Sequence, residues 1–199
     1  MLISTSRKYI IKAQDIYFIE KQLEDLSPTC IMRDKLLTRT VFKIDENESR
    51  WLRIRTGDVD CSHNPITSAS LIEKTSETGQ QQPTRKSISL QLTDYYDSVA
   101  FFKSIGLTAI SEQETKRTKY TCFYDGIKYT VCFDVWPGIE QYIFASITPA
   151  TNAEMEDLES FVDHTKILNY AITNLPTDIN EVYLKEKGKS ASEYSELRF

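Results

Sequence analysis

The chain has 199 residues, 40% of them hydrophobic and 27% charged, with a formal net charge of −5. That length suits one core with appendages, and the apolar share excludes pervasive disorder. The acidic balance excludes non-specific adhesion to DNA or to anionic membranes, which rewards an excess of lysine and arginine, so any anion site must be local.

Met1 to Arg7 lacks the apolar centre of a signal peptide, and no run of about 18 apolar residues could span a bilayer. A cytoplasmic location is the expectation. A short first strand, Lys8 to Ala13, precedes a helix that Asp15 can cap and that carries Ile16, Ile19, Leu23 and Leu26. Cys30 to Lys43 reads as extended, Asp45 to Glu48 as a turn, and Arg50 to Arg55 as a strand closed by Gly57. A fourth strand, Ser68 to Thr75, leads into a flexible loop from Ser76 to Thr84. Arg85 to Leu92 then alternates, with Arg85, Ser87, Ser89 and Gln91 on one face.

Asp94 can cap a second helix, which Gly106 ends. Ile110 to Phe123 and Ile127 to Val135 read as a hairpin around Tyr124-Asp125-Gly126. Trp136-Pro137-Gly138 breaks the run, Tyr142 to Thr148 is a last strand, and Ala153 to Leu168 is an amphipathic helix. The division expected is a domain over residues 1–170 and a polar, lysine-rich peripheral tail over 171–199. The fold class expected is α+β, mainly β: a closed eight-stranded antiparallel barrel with helices packed outside.

Cys30, Cys61, Cys122 and Cys132 form no C-x-x-C pair, and only His63 and His164 could help them hold a metal. Ordinary reduced thiols are the expectation. The strand faces carry more chemistry. Period-two geometry puts Trp51, Arg53 and Arg55 on one side of their strand and Leu52 and Ile54 on the other, under helices. The same alternation groups Lys8, Ile10 and Lys12, then Thr115, Arg117 and Lys119, then Lys128, Thr130, Cys132 and Asp134. A single cationic face is usually solvated. Several turned inward would hold an anion, because a buried unpaired cation costs several kcal/mol.

These segments resemble the CYTH domain, or triphosphate tunnel metalloenzyme superfamily, which includes class IV adenylate cyclases and triphosphatases. Trp51-Leu52-Arg53-Ile54-Arg55 resembles its LRxR strand, Leu71-Ile72-Glu73-Lys74 its LTxK strand, and Glu114 to Tyr120 its E-x-x-R-x-x-Y strand. Phe133 to Tyr142 is similar to the D-x-W-P-x-I-x-x-Y run of an adenylate cyclase-like bacterial branch. The likeness covers residues 7 to 165. It implies a tunnel that grips a triphosphate with basic residues and holds divalent metal with carboxylates. On that resemblance Lys12, Arg53, Arg55, Lys74 and Arg117 fall on phosphate-contacting positions, Arg85 sits where the central strand begins with arginine, and Asp134 matches a metal-site acid.

The departures are in the acids. The family's opening E-x-E-x-K reads Lys8-Tyr9-Ile10-Ile11-Lys12, Ser87 and Ser89 replace middle-strand acids, and Phe144 and Ser146 replace the last pair. Glu73, Glu112 and Glu114 lie on the opposite strand faces from Lys74 and Arg117. The expectation is therefore a binder of a nucleoside triphosphate or polyphosphate with impaired catalysis, and with magnesium only as a weakly held, substrate-delivered ion. The alternatives are a metal-dependent adenylate cyclase or triphosphatase, and a scaffold that meets a protein partner through its C-terminal tail.

Overall fold

The computed structural model describes residues 6–44, 50–75, 84–150, 155–175 and 178–199, apart from the side chains of residues 74–75, 84–87 and 155. The turn expected at 45–48 and the body of the loop expected at 76–84 lie outside the described residues.

Eight strands make one antiparallel ladder: β1 (Arg7–Lys12), β2 (Thr29–Lys43), β3 (Arg50–Val59), β4 (Pro65–Thr75), β5 (Thr84–Leu92), β6 (Thr108–Tyr124), β7 (Ile127–Val135) and β8 (Tyr142–Pro149). Their spatial order is β1-β8-β7-β6-β2-β3-β4-β5, and a ninth strand, β9 (Glu196–Leu197), runs parallel to β6 at Glu112 and Gln113. The helices are α1 (Ile16–Glu24), α2 (Tyr95–Ser104), α3 (Met155–Thr165) and α4 (Ile179–Lys187). No helix among the described residues is long and apolar enough to cross a membrane.

Local sequence explains the joints. Asp94 caps α2 by accepting the Asp97 N–H at 2.8 Å, and Asp125-Gly126, both at positive φ, form the two-residue turn between β6 and β7. Such a turn twists with the strands it joins. Asp15, by contrast, accepts no capping bond and belongs to a single 3-10 turn before α1.

The closed barrel is not formed: β1 and β5 end the sheet as separate edges. The physical reason lies at β1. Its outer edge is already bonded, through an antiparallel bridge between Ile11 and Ala171 and a 2.8 Å bond from the Ile172 N–H to the Ile10 carbonyl. A backbone edge bonded to one partner cannot pair with a second.

Three helices cover the outer face. α1 and α3 bury Ile11, Tyr120, Tyr129, Phe133, Ala145 and Ile147 with Leu23 and Phe161, the Tyr129 and Phe161 rings stacked 4.0 Å apart. α2 buries Phe42, Leu52, Ile54 and Ala69 under Tyr95, whose hydroxyl bonds to Thr40 at 2.7 Å. Leu52 and Ile54 thus face helices as alternation requires, which turns Arg53 and Arg55 to the inner face.

The segment from 178 to 197 lies on that inner face. Val182, Tyr183 and Leu197 are buried with Ile10, Trp136 and Ile139, and Phe144 packs against them. Tyr183 donates a hydrogen bond to the Pro137 carbonyl, and Gln113 donates to the Ala191 carbonyl at 3.3 Å. Ile10 and Phe144, standing where acids would be expected, give this segment an apolar seat.

Candidate functional site

Five cationic side chains gather on the inner face beside that seat. β2 supplies Arg39, β3 supplies Arg53 and Arg55, and β6 supplies Arg117 and Lys119; Asp58 of β3 and Asp134 of β7 face them. Strand pairing sets the spacing, with Arg39 opposite Arg55 and Arg117 opposite Asp134.

Arg117 is the hub. Its Nε and Nη2 donate to the two Asp134 oxygens at 2.6 and 2.7 Å, and its Nη1 donates to Asp58 Oδ2 at 2.9 Å. Lys119 donates to Asp58 Oδ1 and, at 2.7 Å, to the Val59 carbonyl, while Arg55 Nη2 stands 3.6 Å from Asp58 Oδ2. Burial opposes the charge on Arg117, but the Asp134 carboxylate outweighs it and its pKa is raised. Burial also acts against Asp58, yet the Arg117 charge and the Lys119 bond hold its carboxyl below the ordinary value.

Arg39 sits differently. It is 6% exposed, its guanidinium lies 4.4 Å from the centre of the Trp136 ring, and Nη2 donates to Thr115 Oγ1 at 2.7 Å. Its Nε is buried without a hydrogen-bond partner, and no ion pair joins Arg39 to a carboxylate among the described residues. Burial, then the charges of Arg53 and Arg55, push its pKa well below the ordinary arginine range. Burial and Arg117 lower that of Arg55 as well.

Of the residues singled out in the sequence, the structure brings Arg53, Arg55, Arg117 and Asp134 together. Lys12 is exposed at the end of edge strand β1, opposite Tyr142, and lines a separate shallow depression with Gln141. Lys74 and Arg85 face each other in the register of β4 and β5, with side chains outside the described residues. Glu112 pairs with Arg198 at 2.9 Å and Glu114 accepts the Phe199 N–H at 3.0 Å, both away from the cluster.

Strand alternation singles out neither Arg39 nor Asp58, and it places Lys119 on the face of Arg117 without assigning it a role. Arg39 is hidden because its nearest neighbours on that strand face, Leu37 and Val41, are apolar. Asp58 is hidden by a β-bulge between Arg55 and Asp58, since a bulge shifts the alternation by one residue. Gly57 makes the bulge possible: its φ is +88°, and a Cβ there would stand 2.4 Å from the Leu36 carbonyl oxygen. A glycine inside a strand pattern was the available signal.

A metal held by the protein does not fit this donor set. Both Asp134 oxygens accept from Arg117 and both Asp58 oxygens accept from cations. Among the described residues no group of three or more histidine, cysteine, aspartate or glutamate side chains is placed to hold an ion. The four cysteines are free; Cys30 and Cys61 are exposed, Cys122 and Cys132 buried. His63 shares a 3.0 Å bond with the Ile31 carbonyl, and His164 packs against the Tyr124 ring.

No family model matches the chain, and no curated relative matches it. Solved structures do. The chain resembles the PH1012 protein of Pyrococcus horikoshii OT3 with a TM-score of 0.58 at 12% identity, over 92% of this chain and 99% of that one. It resembles a Vibrio parahaemolyticus protein designated a "putative adenylate cyclase" with a TM-score of 0.54 at 8% identity, over 82% and 86% of the two chains. It also resembles a chain in the structure of the Schizosaccharomyces pombe Mediator head module, with a TM-score of 0.51 at 13% identity, over 83% and 90%. At such identities the shared property is the fold.

Proposed function

We propose that the inner face binds a phosphate-bearing anion, a nucleoside triphosphate or polyphosphate, through Arg39, Arg53, Arg55 and the Arg117 hub, and that it does so without a metal held by the protein. The observation that carries this reading is Arg39. A guanidinium that is buried, lacks an ion-pair partner among the described residues and leaves Nε unsatisfied is costly on its own. It becomes favourable when an anion brings charge and acceptors, and arginine's planar fork suits phosphate oxygens. The fold likeness to the Vibrio protein and the CYTH-like strand motifs support the same reading.

Catalysis is impaired in this reading. Asp58 and Asp134 spend their oxygens on Arg117 and Lys119, so they position cations rather than a metal, and any magnesium would arrive on the ligand. Arg117, fixed by two carboxylates, then presents a rigid positive centre beside Arg55.

Thermal denaturation with ATP and with inorganic triphosphate, each with and without a chelator, tests the proposal. At about 100 times the dissociation constant, binding should raise Tm by about 5–10 °C, survive chelation, and vanish in Arg53→Ala and Arg55→Ala. No shift with either ligand would overturn it. It would also favour a second reading, a scaffold for a protein partner, supported by the exposed Leu71, Ile88 and Leu90 on the outer face of β4 and β5 and by the Mediator chain that shares this fold.

A further inference from the structure

The open sheet has two ends, and the chain treats them differently. The edge of β1 is taken by Ala171 and Ile172. At the other end the nine-residue β5 pairs only with β4 among the described residues. A row of unpaired N–H and C=O groups is a template for a further strand. The usual protections are missing there. β5 contains no proline, its register with β4 runs without a bulge, and Ser87 to Leu92 carries no charge. Ile88 and Leu90 are 63% and 64% exposed on its outer face, beside Leu71 of β4 at 37%.

The pattern of β5 says what fits this edge. Two copies can meet about a two-fold only where the surface is complementary to itself. Antiparallel pairing with Ser89 opposite its own mate sets Ile88 opposite the Leu90 position of the other copy and Ser87 opposite Gln91. Apolar then meets apolar on the outer face and polar meets polar on the inner. Charge agrees. The sequence is basic at the start of β5, Arg85-Lys86, and acidic just past its end, Asp94. Antiparallel pairing brings each basic end beside an acidic one, whereas parallel pairing would set like against like.

We propose that two copies of the chain join at β5 by antiparallel pairing, so that one continuous sheet runs through both and Leu71, Ile88 and Leu90 of each are covered. Assembly stops at two, because the bonded edge of β1 leaves each copy one free edge. The inference is independent of the anion-binding reading, and it assigns the apolar patch on β4 and β5 to this chain itself.

Sedimentation velocity from about 1 µM to about 1 mM, the span of moderate to weak association, tests it. One strand and three apolar side chains make a small interface beside the ~20–30 residues a side of a stable one. The mass should therefore double within that span, and hydrogen exchange at the amides of 88–92 should slow as it does. I88K/L90K puts charge on the edge and should stay a single copy throughout. Both positions are exposed, so the variant should keep the Tm of the dilute unsubstituted protein; the exchange measurement stands whether or not it folds. A mass that stays at one copy up to the highest concentration would overturn the proposal and leave the edge to a strand of another protein. A dimer that persists in folded I88K/L90K, or that forms without slower exchange at 88–92, would place the contact elsewhere and overturn it. Growth beyond two copies would overturn the two-fold closure.

Discussion

The two halves of the inner face solve the same packing problem in opposite ways. Beneath β1 and β8, Ile10, Phe144 and Trp136 meet Val182, Tyr183 and Leu197, and the space is filled by apolar side chains from the end of the same chain. Beneath β2, β3 and β6, three cations, Arg55, Arg117 and Lys119, share two aspartates, and Arg39 stays buried beside them with an unmet donor. The first half gains stability from burial, which is non-directional and worth about 25 cal/mol for each Å² of apolar surface. The second keeps charge in a place where charge is expensive, a cost that the proposed ligand would offset.

The sharpest way to break this contrast is at the hub. Arg117→Ala leaves the buried Asp58 and the half-buried Asp134 without their main partner and should destabilise the protein by about 3–5 kcal/mol, read from denaturant unfolding. Tyr183→Ala in the apolar half should cost a similar amount by leaving a cavity. Acid separates the two. Because the folded state lowers the pKa of Asp58, the stabilisation from Asp58 is complete above the unfolded value, near 3.8, and is lost as pH falls through the lower folded value. Tyr183→Ala should therefore keep the acid sensitivity of the unsubstituted protein, whereas Asp58→Asn should flatten it below about pH 4. An acid profile in Asp58→Asn that matches the unsubstituted protein would show that Asp58 is not the titrating group.

Much of this was legible in strand alternation. Leu52 and Ile54 had to face helices, so Arg53 and Arg55 had to face inward, and the hairpin at Tyr124-Asp125-Gly126 set the strand of Arg117 beside that of Asp134. Three things escaped that logic. Gly57 looks like the end of a strand, but the strand bulges there and continues to Val59, delivering Asp58 to the cluster. Closure of the sheet was inferred from strand count, but closure depends on which backbone edges stay free, and Ala171 and Ile172 take the edge of β1. Composition also made the C-terminal stretch look like a polar tail. A nine-residue helix needs few apolar residues to dock, and Val182 and Tyr183 suffice because Ile10 and Phe144 provide a matching surface.

The smallest change in stability carries the most pointed prediction. Replacing Arg39 with methionine, a side chain of similar length without charge, removes a buried cation that has no ion-pair partner among the described residues. It keeps apolar contact with Trp136, at the cost of the bond to Thr115. Substitution of a buried charge by a well-packed apolar side chain is commonly neutral or stabilising, so unfolding of the free protein should change by no more than about 1 kcal/mol, and in the direction of greater stability. ATP-induced stabilisation should disappear in the same variant. That pairing follows from a charge kept for its ligand, since residues held for function often cost stability in the free protein. If Arg39→Met instead unfolded readily and still responded to ATP, Arg39 would be a structural member of the sheet, and the charged half would differ from the apolar half only in how it packs.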